Sequence, residues 1–219
     1  GSIHLNSRLS TATLLHFENR QMDHDGNNDG FMDMPKLRQY NIMHRWAYVS
    51  PLWISQLMLR GLHDEREGGQ SLKHLSHTLS EPPYSTAIKT NRYELQWKNG
   101  FTLNADHNTS IALMLHGSWH DADHVFGLTQ YDVTQKNGYA QLMFETDVNE
   151  NHNLSVGASL NHDYYNERLN PLGTLPNAEN ETTHETTPGL YAQYTYKLGR
   201  QLTVMPGVRW DYSNYYGGF

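Results

Sequence analysis

The densest cluster of cation-binding side chains in the chain is the run Asp23-His-Asp-Gly-Asn-Asn-Asp-Gly-Phe-Met-Asp33. Counted from Asp25, side-chain oxygens fall at alternate loop positions one, three, five and nine: Asp25, Asn27, Asp29 and Asp33. Gly30 occupies the sixth position, where such a loop must turn sharply, and Phe31 the seventh, where a backbone carbonyl is offered. A hard cation such as calcium takes six to eight oxygens, and alternate residues in a turn can supply them. The pattern departs from a helix–loop–helix calcium hand at position twelve, where Lys36 replaces the bidentate glutamate. The flanks also read as strands. The expectation is a structural calcium site at Asp25, Asn27, Asp29, Phe31 and Asp33, with the ligand set completed from elsewhere. The plainer alternative is a polar loop, because Asp, Asn and Gly are favoured in turns.

Other chemistry is sparser. There are 14 histidines, but they are scattered and no His-x-x-x-His helix gathers them. The densest group is His120-Asp121-Ala122-Asp123-His124, expected at the start of a long loop, where Asp and His together could activate water. An enzyme built on it would need Asp121, Asp123 and His124 in one cleft. No Walker loop, dinucleotide fingerprint or nucleophile elbow is present, and the chain is not expected to be an enzyme. A net charge of -7 argues against a nucleic-acid partner. The absence of cysteine excludes disulfides and thiolate metal sites.

The elements that would position these residues alternate at period two. Ile111, Leu113, Leu115 and Trp119 oppose Ser110, Ala112, His116 and Ser118; Leu154, Val156, Ala158 and Leu160 oppose Ser155, Gly157, Ser159 and Asn161. Similar patterns cover Leu5 to Asn19, Tyr40 to Val49, Trp53 to Leu62, Lys89 to Leu103, Tyr139 to Thr146, Leu190 to Leu198 and Leu202 to Asp211, giving nine strands. Pro206 interrupts the last, and a bulge is expected there. Each run exceeds the roughly five or six residues of a globular strand and suits the roughly 9–11 that cross a bilayer. Short connections (Ser50 to Leu52, Asn104 to Asn108, Asn149 to Asn153, Leu198 to Gln201) alternate with expected long loops (Arg20 to Arg38, His63 to Ala87, Asp121 to Asn137, Tyr165 to Thr187). That asymmetry marks a transmembrane β-barrel. Trp46, Trp53, Trp97, Trp119, Trp210 and the pairs Tyr164-Tyr165 and Tyr215-Tyr216 would anchor it at the membrane interfaces.

The fold expected is therefore all-β, an antiparallel transmembrane β-barrel segment spanning residues 1–219. Nine is an odd number, whereas single-chain bacterial barrels have even counts, so a piece of a larger barrel is favoured. Two competing readings remain open. A small complete outer-membrane barrel could act as adhesin, pore or surface protease. A soluble calcium-binding β-domain would instead pack its apolar faces together.

Several stretches also resemble one family. Asp25-Gly-Asn-Asn-Asp-Gly-Phe-Met-Asp-Met-Pro35, His44-Arg45-Trp46, Asp64-Glu-Arg-Glu-Gly-Gly-Gln70, Gly117-Ser-Trp-His-Asp121, Lys136-Asn-Gly-Tyr-Ala140 and Gly207-Val-Arg-Trp-Asp211 are similar to TonB-dependent outer-membrane receptors of the Bacteroidetes type. The resemblance implies the middle of a 22-stranded barrel in the cell outer membrane, without the plug domain. It implies a role in binding and importing a scarce small-molecule chelate: cobalamin, an iron-siderophore or haem. The implied partners are the TonB complex, reached through the missing plug, and outer-membrane lipid. Because cobalamin receptors of this kind use calcium in their outer loops, the Asp25 to Asp33 loop leans towards cobalamin.

Overall fold

The computed structural model describes residues 1–71, 83–171, 179–199 and 201–219. All regular structure among them is β, in one sheet. Its strands are β1 (Ser2–His4), β2 (Leu9–Arg20), β3 (Lys36–Val49), β4 (Trp53–Gly69), β5 (Ser85–Asn104), β6 (Thr109–Phe126), β7 (Thr129–Asn149), β8 (His152–Pro171), β9 (Glu179–Leu198), β10 (Leu202–Val204), β11 (Gly207–Ser213) and β12 (Gly217–Gly218). Each long strand pairs antiparallel with its neighbours in sequence, so the sheet is a meander without crossovers. All nine strands read from the alternation are present, with β10 and β11 sharing the last. β1 and β12 are short additions at the two ends.

Register fixes the two faces. Ile111, Leu113 and Leu115 of β6 lie opposite Phe144, Leu142 and Ala140 of β7. Those in turn face Val156, Ala158 and Leu160 of β8. Val156 and Ala158 continue to Ala192 and Leu190 of β9, and these to Val208 and Trp210 of β11. The opposite face carries His116, Tyr139, Asn161, Gln141 and Ser159. One face is thus a continuous apolar belt and the other is polar. Leu37 and Ala122 are the only buried apolar residues among those described, while Leu15, Leu142, Leu190 and Val208 stand exposed. A soluble sandwich would bury such a belt against a second sheet; here no second layer exists among the described residues. In a bilayer the belt faces lipid, and every interior strand has its backbone groups paired across the ladder.

The long strands outrun the membrane. β7 has 21 residues, about 70 Å of strand at about 3.4 Å per residue, whereas roughly 9–11 residues cross a bilayer. The surplus lies on the long-loop side, and this corrects the connections expected from sequence. Residues Asp121 to Asn137 form no loop: β6 and β7 stay paired from Ser110↔Glu145 to Phe126↔Thr129. They close through a two-residue turn at Gly127-Leu128, with Gly127 at φ +60°, as tight hairpins require. Likewise β4 and β5 remain paired up to Gly69↔Ser85, and β8 and β9 up to Leu169↔Glu179. Polar composition had concealed these extensions, since beyond the bilayer neither face needs to be apolar. The loops between β4 and β5 and between β8 and β9 contain residues 72–82 and 172–178, which lie outside the described residues.

Pro206 gives a second correction. Val204 pairs with Tyr196 and Gly207 with Gln193, so the register runs through without a bulge. Pro206 accepts a bond from the Tyr194 N–H at 3.0 Å; lacking its own N–H, it cannot return one. One ladder bond is lost, and the strand is divided there into β10 and β11, both still in register with β9. On the short-turn side, Asp147 ties neighbouring turns, accepting Asn108 Nδ2 at 2.6 Å and Asn153 Nδ2 at 2.8 Å. Those two bonds hold its carboxyl below the usual aspartate range.

Candidate functional site

The Asp25 to Asp33 loop connects β2 to β3 and folds back on itself. Gly30 has φ +85° and Asn28 φ 59°, so the turn at the sixth loop position is present. Its acidic side chains cap the loop's own amides. Asp33 Oδ2 accepts Gly26 N at 2.7 Å, Asp25 Oδ2 accepts Gly30 N at 3.1 Å, and Asp29 Oδ1 accepts Phe31 N at 2.8 Å. Asn27 Oδ1 accepts Asp29 N at 3.1 Å. These are the local bonds that make Asp and Asn turn formers. No group of three or more His, Cys, Asp or Glu side chains is gathered for a metal among the described residues. Phe31 forms an isolated antiparallel bridge to Gln70. Met32 N bonds Gly69 O at 2.9 Å, Ser71 N bonds Gly30 O at 2.8 Å, and Ser71 Oγ bonds Asp23 Oδ1 at 2.8 Å. The loop is stitched to the end of β4.

The larger polar site is the face opposite the apolar belt. Across it runs a set of bonded side chains. Arg60 Nη1 meets Glu94 Oε2 at 3.2 Å and Arg92 Nη2 meets Glu94 Oε1 at 2.8 Å. Asn137 Nδ2 donates to Asn161 Oδ1 and to Asp163 Oδ1, both at 2.8 Å. Two glycines allow side chains to lie flat on this wall. A Cβ on Gly157 would collide with the Tyr191 ring, which covers it and receives a 3.4 Å bond from Gln141 two strands away. A Cβ on Gly189 would collide with the Asp211 carboxylate. That carboxylate is held by Arg209, whose Nη2 also reaches Ser159 at 3.3 Å. Polar groups so paired can face an aqueous lumen without an energetic penalty for unmade bonds.

Beyond the belt this wall becomes aromatic and imidazole-rich. His116, His120 and His124 share one side of β6, while Asp121 and Asp123 lie on the other. The cluster is therefore split between two faces, and Asp121, Asp123 and His124 do not meet in one cleft. His124 stacks on Tyr131 with ring centroids 5.6 Å apart. Tyr131 Oη donates to Glu167 Oε1 at 2.6 Å; that bond, with burial second, leaves its phenol pushed up to about 12. Gln135 Nε2 reaches Tyr165 Oη at 2.6 Å. Burial, followed by the charges of Asp163, Glu167 and Glu185, raises the Tyr165 phenol as well. Tyr131, Gln135 and Glu167 were missed in the sequence because 121–137 and 165–187 read as loops, while His120 and His124 stood out only as part of a His and Asp cluster. Period-two spacing of His120, Ala122 and His124 was the available signal.

The five tryptophans all fall on the belt face. Trp119 and Trp210 end the apolar runs of β6 and β11, and Trp53 begins that of β4, as interface anchors do. Tyr164 lies on the belt face, but Tyr165 points to the polar wall, so that pair is divided.

A meander of long strands with one apolar belt, one polar wall, aromatic ends to the belt and compact turns on one side defines the wall of an outer-membrane β-barrel. Residues 17–219 match the family described as TonB dependent receptor-like, beta-barrel, and the chain belongs to that family. Two solved structures share the fold. The alcaligin outer membrane receptor FauA from Bordetella pertussis superposes with a TM-score of 0.68 at 10% identity, covering 96% of this chain and 32% of that one. The ferric enterobactin receptor PfeA from Pseudomonas aeruginosa, as a mutant, gives a TM-score of 0.61 at 13% identity, covering 98% and 36%. The chain thus spans about a third of the length of these receptors. No curated protein sequence matches it. Membership places the chain in the outer membrane, in a family of receptors.

Proposed function

We propose that the protein binds a scarce metal chelate at the cell surface and imports it, drawing energy from the TonB complex through a plug domain, and performs no covalent chemistry. Family membership carries this reading. The polar wall rising past the belt, with His120, His124, Tyr131 and Tyr165 turned to one side, supports it as a surface on which a chelate could dock. The folds it resembles belong to an alcaligin receptor and a ferric enterobactin receptor, which puts an iron-siderophore first among cargoes. Cobalamin and haem follow.

The experiment is to purify the full-length protein from outer membranes, verify heat-modifiable migration on a gel, and titrate it with ferric siderophores, cobalamin and haem. Saturable binding of one chelate, weakened by Tyr131→Ala and Tyr165→Ala, is the expected result. A folded protein that binds none of the three, or binds equally with both tyrosines removed, overturns the assignment of cargo class or of this wall respectively.

Calcium at Asp25, Asn27, Asp29, Phe31 and Asp33 belongs to the same proposal as an ordering ion. The alternate oxygen spacing and the positive φ of Gly30 favour it. Binding would require the carboxylates to release the amides they cap, so a measurable rearrangement is part of the proposal. Calcium should protect residues 21–36 from protease, and Asp29→Ala should remove that protection. Equal cleavage with and without calcium eliminates the ion.

A further inference from the structure

The belt face carries one polar cluster immediately beyond its apolar rows. On β7 the outward sequence runs Leu142, Ala140, Gly138 and then Lys136. On β8 it runs Ala158, Leu160 and then His162 and Tyr164; on β9 it runs Leu190, Pro188, Thr186 and then His184. These end residues touch one another. Lys136 Nζ lies 5.3 Å from the centre of the Tyr164 ring, Tyr164 lies 4.9 Å from His184, and His184 lies 6.1 Å from His162. His162 Nδ1 is paired with Thr186 Oγ1 at 2.8 Å. Lys136, His162 and His184 are exposed.

No carboxylate answers the ammonium: Lys136 makes no ion pair among the described residues. The nearest acid on the same face, Asp121, accepts the Thr134 hydroxyl at 2.7 Å. An unpaired lysine with two imidazoles beside it, at the rim of a lipid-facing surface, is placed to meet an anion that belongs to the membrane itself. Below it on β8, β9 and β11 a shallow groove lined by Val156, Leu190, Ala192, Val208 and Trp210 runs along the belt. Leu190 and His184 are six residues apart, about 20 Å along the strand at about 3.4 Å per residue, and strand tilt shortens that height. A lipid can therefore set an acyl chain in the groove with its headgroup at the cluster.

We propose that Lys136, His162, Tyr164 and His184 form a headgroup site for a phosphorylated glycolipid of the outer leaflet, with its acyl chain along the Val156–Trp210 groove. The site lies on the outside of the wall, so it is separate from the transport path. Lys136 supplies the charge, and the Tyr164 ring face holds that ammonium in place.

To test it, the full-length receptor in detergent is mixed with diphosphoryl lipid A or its dephosphorylated counterpart, and bound lipid is counted by native mass spectrometry. The phosphorylated form should be retained in preference, and millimolar inorganic phosphate should not displace it. Loss of one interfacial cation is worth about fivefold in affinity, so Lys136→Gln should weaken retention by about that factor. Lys136→Arg should retain the lipid, and Lys89→Gln, farther from the belt on the same face, should leave it unchanged. Heat-modifiable migration verifies that each variant is folded. Equal retention of both lipids, displacement by free phosphate, or a folded Lys136→Gln protein that holds lipid as the parent does, each overturns the proposal.

Discussion

At the scale of single residues, Gly157 shows how the polar wall is assembled. It lies across the ladder from Tyr191, whose ring fills the space a side chain would take, an arrangement that offsets the weakness of glycine in a strand. Two effects compete in Gly157→Ala. Replacing a strand glycine recovers about 0.5–1 kcal/mol of backbone entropy, while overpacking costs about 1–3 kcal/mol. Overpacking outweighs the entropy gain, so the variant should unfold at lower urea, followed by the heat-modifiable gel shift. Gly138 is on the belt face with nothing near its Cβ position, so Gly138→Ala should be neutral or stabilising. Opposite signs at the two sites test the packing argument; the same sign at both would refute it.

Tyr131 gives a second residue-scale prediction. Its phenol is pushed up to about 12 by the hydrogen bond to Glu167 and by burial, above the unfolded value of about 10. Between those values the folded protein holds a proton that the unfolded chain has lost. The stabilisation is therefore complete below pH about 10 and disappears as pH rises through about 12. A phenolate absorbance titration of Tyr131→Phe against the parent should lack one late-titrating phenol. If the parent's curve shows no phenol in that range, the bond to Glu167 does not exist in solution.

The same residues show what was legible beforehand. Within the membrane, lipid on one side and water on the other enforce alternation, so Ile111 to Trp119 and Leu154 to Leu160 could be assigned from sequence. Beyond it both faces are wet, the pattern lapses, and Asp121 to Asn137 read as a loop although all but the Gly127-Leu128 turn is strand. The candidate cation loop was legible as a loop for a different reason: Asp, Asn and Gly state their local turn bonds directly. What those side chains do with their oxygens depends on which amides lie nearby, and spacing does not encode that.

At the scale of elements, the β6–β7 hairpin is the clearest departure from expectation and the easiest to probe. Its turn is Gly127-Leu128, where the positive φ of Gly127 excludes most side chains and the Tyr84 ring sits 2.9 Å from where a Cβ would be. Both strands below are paired without a register shift down to Ser110↔Glu145. Residues 121–137 should accordingly resist protease on intact cells, unlike an open loop of seventeen residues. A β-branched residue tolerates positive φ poorly, so Gly127→Val should open cleavage near the tip while leaving heat-modifiable migration intact. Rapid cutting of the parent between Asp121 and Asn137 would restore the loop reading.

At the scale of the molecule, the question is which face meets lipid, because the polar wall becomes a lumen, and a candidate path for cargo, only if the belt faces outwards. β7 offers adjacent residues on opposite faces: Ala140 and Leu142 on the belt, Gln141 and Met143 on the wall. These 219 residues contain no cysteine, so single cysteines at these four positions, with any cysteine elsewhere in the full-length receptor replaced by serine, can carry a fluorophore. Nitroxide-labelled lipid should quench the probes at Ala140 and Leu142 and spare those at Gln141 and Met143. The energetics must follow the same alternation. An arginine on the lipid face near the bilayer midplane costs about 2–4 kcal/mol, whereas lumen positions tolerate charge, and the wall already carries Arg60, Arg92 and Arg209. Leu142→Arg should therefore lower stability in membranes by about that amount, and Gln141→Arg should not. Quenching at all four positions, or equal cost for the two arginines, would mean that the belt is covered by protein rather than lipid, and the receptor reading would fall with it.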